Sequence, residues 1–175
     1  MFGGIVEREI FGDMRKPENP IEGFPGPNDY VKFNEAMRYV RNHQRPGNPE
    51  NPKEFFPHDL LNYLRSDEEL KEVASEAAYR FNTAIGSHLD RFHGIDALIE
   101  CKPDPEKNQV FIVTLDVTTN PGKEGGYKAD VLISLDREGL DPTDPDYQDI
   151  VVKYGREIKD QLLTIIPEAV KVKAA

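Results

Sequence analysis

Two short apolar, β-branched runs, Ile95–Cys101 and Val110–Val117, sit in the middle of the chain, joined by the stretch Lys-Pro-Asp-Pro-Glu-Lys-Asn. Runs of this kind bounded by turn-forming residues form a β-hairpin, and a hairpin fixes much of what can surround it. Each run carries one conspicuous acid: Asp96 within Ile-Asp-Ala-Leu-Ile near the start of the first, and Asp116 within Thr-Leu-Asp-Val-Thr near the end of the second. Antiparallel pairing brings both carboxylates to the same end of the sheet. A charge in an apolar strand is costly to bury without a cation or hydrogen-bond partners, so this is a place to hold a divalent cation. Thr118, Lys123 and Lys128 follow, and then a third apolar run, Ala129–Leu135.

Helical periodicity brackets these strands. Ser66-Asp-Glu-Glu69 reads as a capping box. From it Leu70, Val73, Ala74, Ala77, Phe81, Ala84 and Ile85 form an apolar stripe that predicts one long helix ending between Gly86 and Phe92. After the strands, Pro145 opens a last long helix with Ile150, Val151, Tyr154, Ile158, Leu162 and Ile165 on one face. Pro167 stops it, and Val170-Lys-Val172 reads as a final short edge strand.

Residues 1–57 hold eight of the 14 prolines and read as an irregular N-terminal arm packed across the core or a partner. The arm contains one helix, capped by Asn28 or Asp29 and running to Asn42, and a short second helix spans Pro57–Leu64. Residues 58–175 form the α/β core. An arm that looks unable to fold alone leaves a homodimer open.

At 175 residues the chain suits one compact unit, and no apolar stretch approaches the roughly 18 residues of a membrane helix. The N-terminus lacks the continuous apolar core of a secretion signal, and a single cysteine, Cys101, allows no internal disulfide. A cytoplasmic location is the expectation. A net charge of −10 repels nucleic acid over most of the surface, so any DNA contact must be confined to a local cleft.

The order helix, three strands, helix and strand, with an acid on one strand and a second on the next, resembles the core of the PD-(D/E)xK nuclease superfamily. The resemblance rests on Phe92-His-Gly-Ile-Asp96 and Asp116-Val117-Thr118, and covers roughly residues 66–166. It implies an α+β fold of restriction-endonuclease-like αβββαβ type, a small mixed sheet of three or four strands flanked by two long helices. It also implies Mg²⁺ or Mn²⁺ held by Asp96, Asp116 and the carbonyl of Val117, and hydrolysis of a phosphodiester in DNA. The family's acid-x-lysine triplet ends here in Thr118 instead of lysine, so Lys128, or else Lys123, would supply the ammonium. Many members add a glutamate from the first long helix, for which Glu76 is preferred over Glu72. Lys102 and Thr118 would meet substrate at the rim.

Each of these residues has a plain structural alternative. Asp96 can cap a loop through backbone amides; Glu72 and Glu76 suit a solvated helix face; Lys123 and Lys128 suit a glycine-rich surface turn. The missing lysine and the acidic surface favour a second reading, the same fold kept as a non-catalytic interaction module. A third is a hydrolase for a nucleotide or other small phosphate ester. His88, His93 and Cys101 lack the spacing of a zinc site. Ser87, His88 and Asp90 are too close along one helix to form a triad, and Gly122-Lys-Glu-Gly-Gly lacks the spacing of a phosphate-binding loop.

Overall fold

The hairpin is the middle of a four-stranded mixed sheet. The computed structural model describes residues 3–14, 25–26, 28–44, 47–120, 128–136, 139–167 and 170, with side chains from residue 6 onward. Strands β1 (Tyr79–Thr83), β2 (Ala97–Cys101), β3 (Phe111–Thr118) and β4 (Val131–Ser134) lie side by side in that order. The first three pair antiparallel, and β4 runs parallel to β3 with Leu115 opposite Val131. Twelve positions separate the end of β3 from the start of β4, about the dozen a parallel connection needs.

Among the described residues six helices surround the sheet: α1 (Gly3–Phe11), α2 (Phe33–Asn42), α3 (Phe55–Ser66), α4 (Glu68–Lys71), α5 (His88–His93) and α6 (Tyr147–Ile165). None is long and apolar enough to cross a membrane. The expected helix over residues 66–86 is not formed. Ser66 closes α3, its hydroxyl donating to the Tyr63 carbonyl at 3.0 Å. Asp67 caps the four-residue α4 by accepting from the amides of Glu69 and Leu70. A 3₁₀ turn at Glu76–Ala78 then leads into β1. The stripe residues Leu70, Val73, Ala74, Phe81 and Ile85 are buried as expected, but Ala77 is exposed. Tyr79 and Phe81 alternate with Arg80 and Asn82, and the register offered by β2 satisfies the backbone of Tyr79–Thr83 as a strand.

Side chains alternate across the sheet and build two cores. Tyr79, Phe81, Ile99, Val113, Leu115 and Val131 meet Leu60, Leu61 and Leu64 of α3, Val151, Tyr154, Ile158 and Leu162 of α6, and Val6, Ile10 and Phe11 of α1. Leu98 and Ile112 point the other way, onto Val31, Ala36 and Val40 around α2 and Leu89 of α5. The N-terminal segment thus contributes to both layers. It holds a second helix, α1, where the sequence suggested one, and α2 begins at Phe33 and not at Asn28 or Asp29. Asp29 spends its carboxylate on the amide of Gly26 (2.8 Å), closing a turn.

Helices α3 and α6 approach closely. A Cβ added at Gly155 would run into the Tyr63 ring, so glycine is what lets the two helices touch. The phenol of Tyr154 accepts from the Ser134 amide and donates to its carbonyl, both at 2.9 Å, closing part of the free edge of β4. Val170 lies in a 3₁₀ turn after Pro167 in place of the expected edge strand, whose other residues, 171 and 172, lie outside the described residues.

Candidate functional site

Serine 87 caps α5 through the amides of Leu89 and Asp90, and Gly94, with φ 64°, ends that helix in the left-handed conformation. A side chain there would strain the backbone, so glycine turns the chain sharply from α5 into β2. The next residue but one is Asp96. Its amide donates to the Leu115 carbonyl (2.8 Å), and its own carbonyl accepts from the amide of Ala84 (2.7 Å). Since Ala97 pairs with Leu115, Asp96, one residue before it, and Asp116, one residue after Leu115, lie at the same end of the hairpin, and alternation puts them on the sheet face of Leu98 and Ile112, the side of α2 and α5. Both acids are buried, at 4% and 3% exposure. One carboxylate oxygen of Asp96 accepts from the Val117 amide at 2.8 Å.

Burial drives the Asp96 carboxyl up to about 8. The Val117 amide pulls against this, while the negative charges of Glu7, Asp116 and Asp90 reinforce it. At neutral pH Asp96 therefore keeps its proton unless positive charge arrives. Burial likewise raises Asp90, opposed by the Gly86 amide and by Arg8 and Arg91. Like charges packed in a desolvated setting resist ionising together, and a cation between them removes the conflict.

Carboxylate and carbonyl oxygen is the donor type that Mg²⁺ and Mn²⁺ prefer, so Asp96, Asp116 and the Val117 carbonyl fit such an ion by chemistry. Among the described residues no group of three or more His, Cys, Asp and Glu side chains is arranged to hold a metal. A pair of carboxylates still suits Mg²⁺, which keeps several waters and commonly binds proteins through one or two carboxylates plus substrate phosphate.

The other residues singled out in the sequence divide between the two ends of the sheet. Thr118 lies two residues beyond Asp116 on the same face, buried, its hydroxyl accepting from the Asn120 amide at 3.1 Å. Lys128 stands just ahead of β4, exposed, and makes no hydrogen bond or ion pair with another described residue. Lys123 lies outside the described residues. Lys102 is at the opposite end of β2, six residues from Asp96, which is about 20 Å along a strand, and its ammonium donates to the Pro105 carbonyl. Glu76 is at that far end too, ahead of Tyr79, which pairs with Cys101. It is exposed, as is Glu72, and neither is on a long helix facing the acids. Their helix gave way to β1, so its glutamates were carried away from Asp96.

Sequence reasoning passed over Glu7 and Glu100, and weighed Asp90 only as a member of a triad with Ser87 and His88. Glu100 sits on β2 in Leu-Ile-Glu-Cys, as much an acid in an apolar strand as Asp96, and that was its signal. It is 3% exposed and takes both Nε (2.7 Å) and Nη2 (3.1 Å) of Arg41 from α2, with the Asn82 amide at 2.8 Å. Three more contacts tie the N-terminal segment to α5: His93 Nε2 with the Val31 carbonyl (2.8 Å), His88 Nε2 with the Gly26 carbonyl (2.9 Å), and Arg91 with Asn28 (2.7 Å). Cys101 is buried and its thiol is pushed up to about 12, chiefly by desolvation, which keeps it unreactive.

The chain thus belongs to the class of α+β proteins with a four-stranded mixed sheet and paired acids at one end. No family model matches it, and neither a curated protein nor a solved structure does.

Proposed function

We propose that the protein is a Mg²⁺- or Mn²⁺-dependent phosphodiester hydrolase of restriction-endonuclease-like architecture, acting on DNA at the end of the sheet that carries Asp96 and Asp116. One observation carries this reading: two buried aspartates lie at the same end of the β2–β3 pair, where burial and neighbouring negative charge raise the carboxyl of Asp96. A fold stabilised by this pair alone would do better with amides. The first acid at the head of one strand, the second on its antiparallel neighbour, and a mixed sheet with β4 parallel to β3 all support the architectural part.

The cation would be held by Asp96 and Asp116, with the Val117 carbonyl. When bound it would supply a water of lowered pKa and neutralise charge on the scissile phosphate. The Val117 amide fixes the orientation of the Asp96 carboxylate, and Thr118 lines the same face as Asp116. Lys128, ahead of β4, is available to meet phosphate from solvent. Its exposed position also favours a second reading, a non-catalytic interaction module that keeps the fold.

Calorimetric titration with Mg²⁺ and Mn²⁺ tests the choice, on the native protein and on Asp96→Asn and Asp116→Asn. Saturable binding lost in both variants, followed by metal-dependent cleavage of DNA that Lys128→Ala slows, supports the hydrolase. No binding at millimolar metal, with and without DNA present and with all three proteins folded, leaves the module as the answer.

A further inference from the structure

The side of the molecule that carries α2 and α5 has a feature the acids do not use. Tyr30 is 67% exposed and Phe33 38% exposed, and both rings lean on His93, with centroids at 5.7 and 5.4 Å. Tyr30 also meets Phe92 edge-on at 5.8 Å, and Phe92 stacks on His88 at 6.0 Å with only 20° between planes. Tyr30, Phe33 and Phe92 thus gather at the surface around the buried ring of His93, with half-buried His88 beyond Phe92, and no aliphatic side chain among the large exposed hydrophobics belongs to this group. Exposed Lys32 lies between Tyr30 and Phe33 along the chain, and exposed Arg91 beside Phe92. The hydrogen bonds of His93 to Val31 and His88 to Gly26 hold the rings in place before any ligand arrives.

This surface leads straight to the acids, because Phe92-His93-Gly94-Ile95-Asp96 is continuous chain. Four residues separate Phe92 from Asp96, at most about 14 Å, the reach of a few nucleotides. It is also on the Asp96 and Asp116 side of the sheet.

We infer that the Tyr30, Phe33 and Phe92 surface is a stacking platform for unpaired bases, so that the substrate presented to Asp96 and Asp116 is a single-stranded nucleic acid. The inference rests on the hydrolase reading for its substrate role, and charge decides between strand states. A duplex hides its bases and offers phosphates, whose binding depends on cations that a chain of net charge −10 lacks over most of its surface. A single strand also offers base faces, which stack on aromatic rings whatever the sequence and so add a binding contribution that a duplex cannot. Lys32 and Arg91 then need only steady the backbone locally.

Fluorescence anisotropy with a labelled oligothymidylate and with a duplex of the same length, at low salt and with EDTA present, tests this without involving the metal. The single strand is expected to bind more tightly, and Tyr30→Ala and Phe33→Ala are each expected to weaken it roughly five- to a hundredfold. Phe55→Ala, which removes an exposed ring outside the platform, is expected to bind as the native protein does. Equal binding of both strands, or native-like single-strand binding by the Tyr30→Ala, Phe33→Ala double variant, overturns the platform. Self-association that Tyr30→Ala abolishes, with oligonucleotide binding unchanged, overturns it in favour of a contact between copies. Metal binding at Asp96 with no oligonucleotide binding defeats the platform alone, and oligonucleotide binding without metal binding defeats the hydrolase alone.

Discussion

Asp96 stands just ahead of β2 at the end where β3 carries Asp116, and the amide of Val117, the residue after Asp116, donates to the Asp96 carboxylate at 2.8 Å. Burial and the negative charges of Glu7, Asp116 and Asp90 thus act on an Asp96 carboxyl that accepts from the Val117 amide, and pH reveals the consequence.

In the absence of divalent cations, stability should fall as pH rises. An unfolded aspartate titrates near 3.9, and in the folded protein Asp96 is raised to about 8. The folded state holds the proton more tightly, so the Asp96 contribution is whole below about pH 4 and is lost progressively up to about pH 8. Unfolding free energies from urea titrations between pH 4 and 9 should decline by an amount on the order of a few kcal/mol. Asp96→Asn should flatten much of that decline, and a variant as steep as the native protein would place the effect elsewhere.

Arg41 and Glu100 form a largely buried pair whose members are not equal. The Glu100 side chain is 4% exposed against 33% for Arg41, so removing the arginine strands a buried charge. Arg41→Ala should cost about 3 kcal/mol, and adding Glu100→Gln should recover most of it. A double-mutant cycle by denaturant unfolding checks this, and additivity of the two changes would contradict it.

Gly155→Ala inverts the usual helix rule. In an exposed helix the change gains up to about 1 kcal/mol, but here the new methyl meets the Tyr63 ring. A loss of about 1–3 kcal/mol is expected, with Tyr63→Ala in the same chain restoring part of it. Thermal unfolding of the two variants measures the sign.

Phe11 measures how firmly α1 belongs to the fold. It is fully buried, 5.2 Å from the Phe81 ring and 6.4 Å from Phe56. Phe11→Ala should cost about 3–5 kcal/mol in a single cooperative transition. A loss under about 1 kcal/mol would mean that α1 docks loosely on a core that stands without it.

The sequence was most legible where one pattern admitted one structure. The Ile95–Cys101 and Val110–Val117 runs became β2 and β3, Ala129–Leu135 became β4, and the Tyr154, Ile158, Leu162 face became the buried side of α6. The acids came to one end of the hairpin for the same reason, since pairing fixes the ends of both strands. Residues 70–85 were illegible because their apolar positions satisfy a helical stripe and a strand at once. Phe81 and Ile85 are buried in either, and only the partner strand, distant in sequence, decides. Once β1 replaced that helix, Glu76 went to the wrong end of the sheet for the chemistry expected of it. The N-terminal segment hid its helix α1 behind Gly3 and Gly4, poor helix formers whose neighbours are stabilised by packing on α3 and the sheet. Glu7 could not be linked to Asp96 without that packing.

The bonds that fasten the N-terminal segment also set an order in time. Arg41 waits for Glu100, 59 positions downstream, Val31 for His93, 62 downstream, and the Gly12 carbonyl for the Thr83 hydroxyl, 71 downstream. During synthesis at about 5–20 residues per second, α1 and α2 must spend several seconds outside the ribosome with Ile10, Phe11, Ala36 and Val40 unsheltered. What is made first settles last, so the nascent chain, more than the finished protein, is where a chaperone would find something to hold.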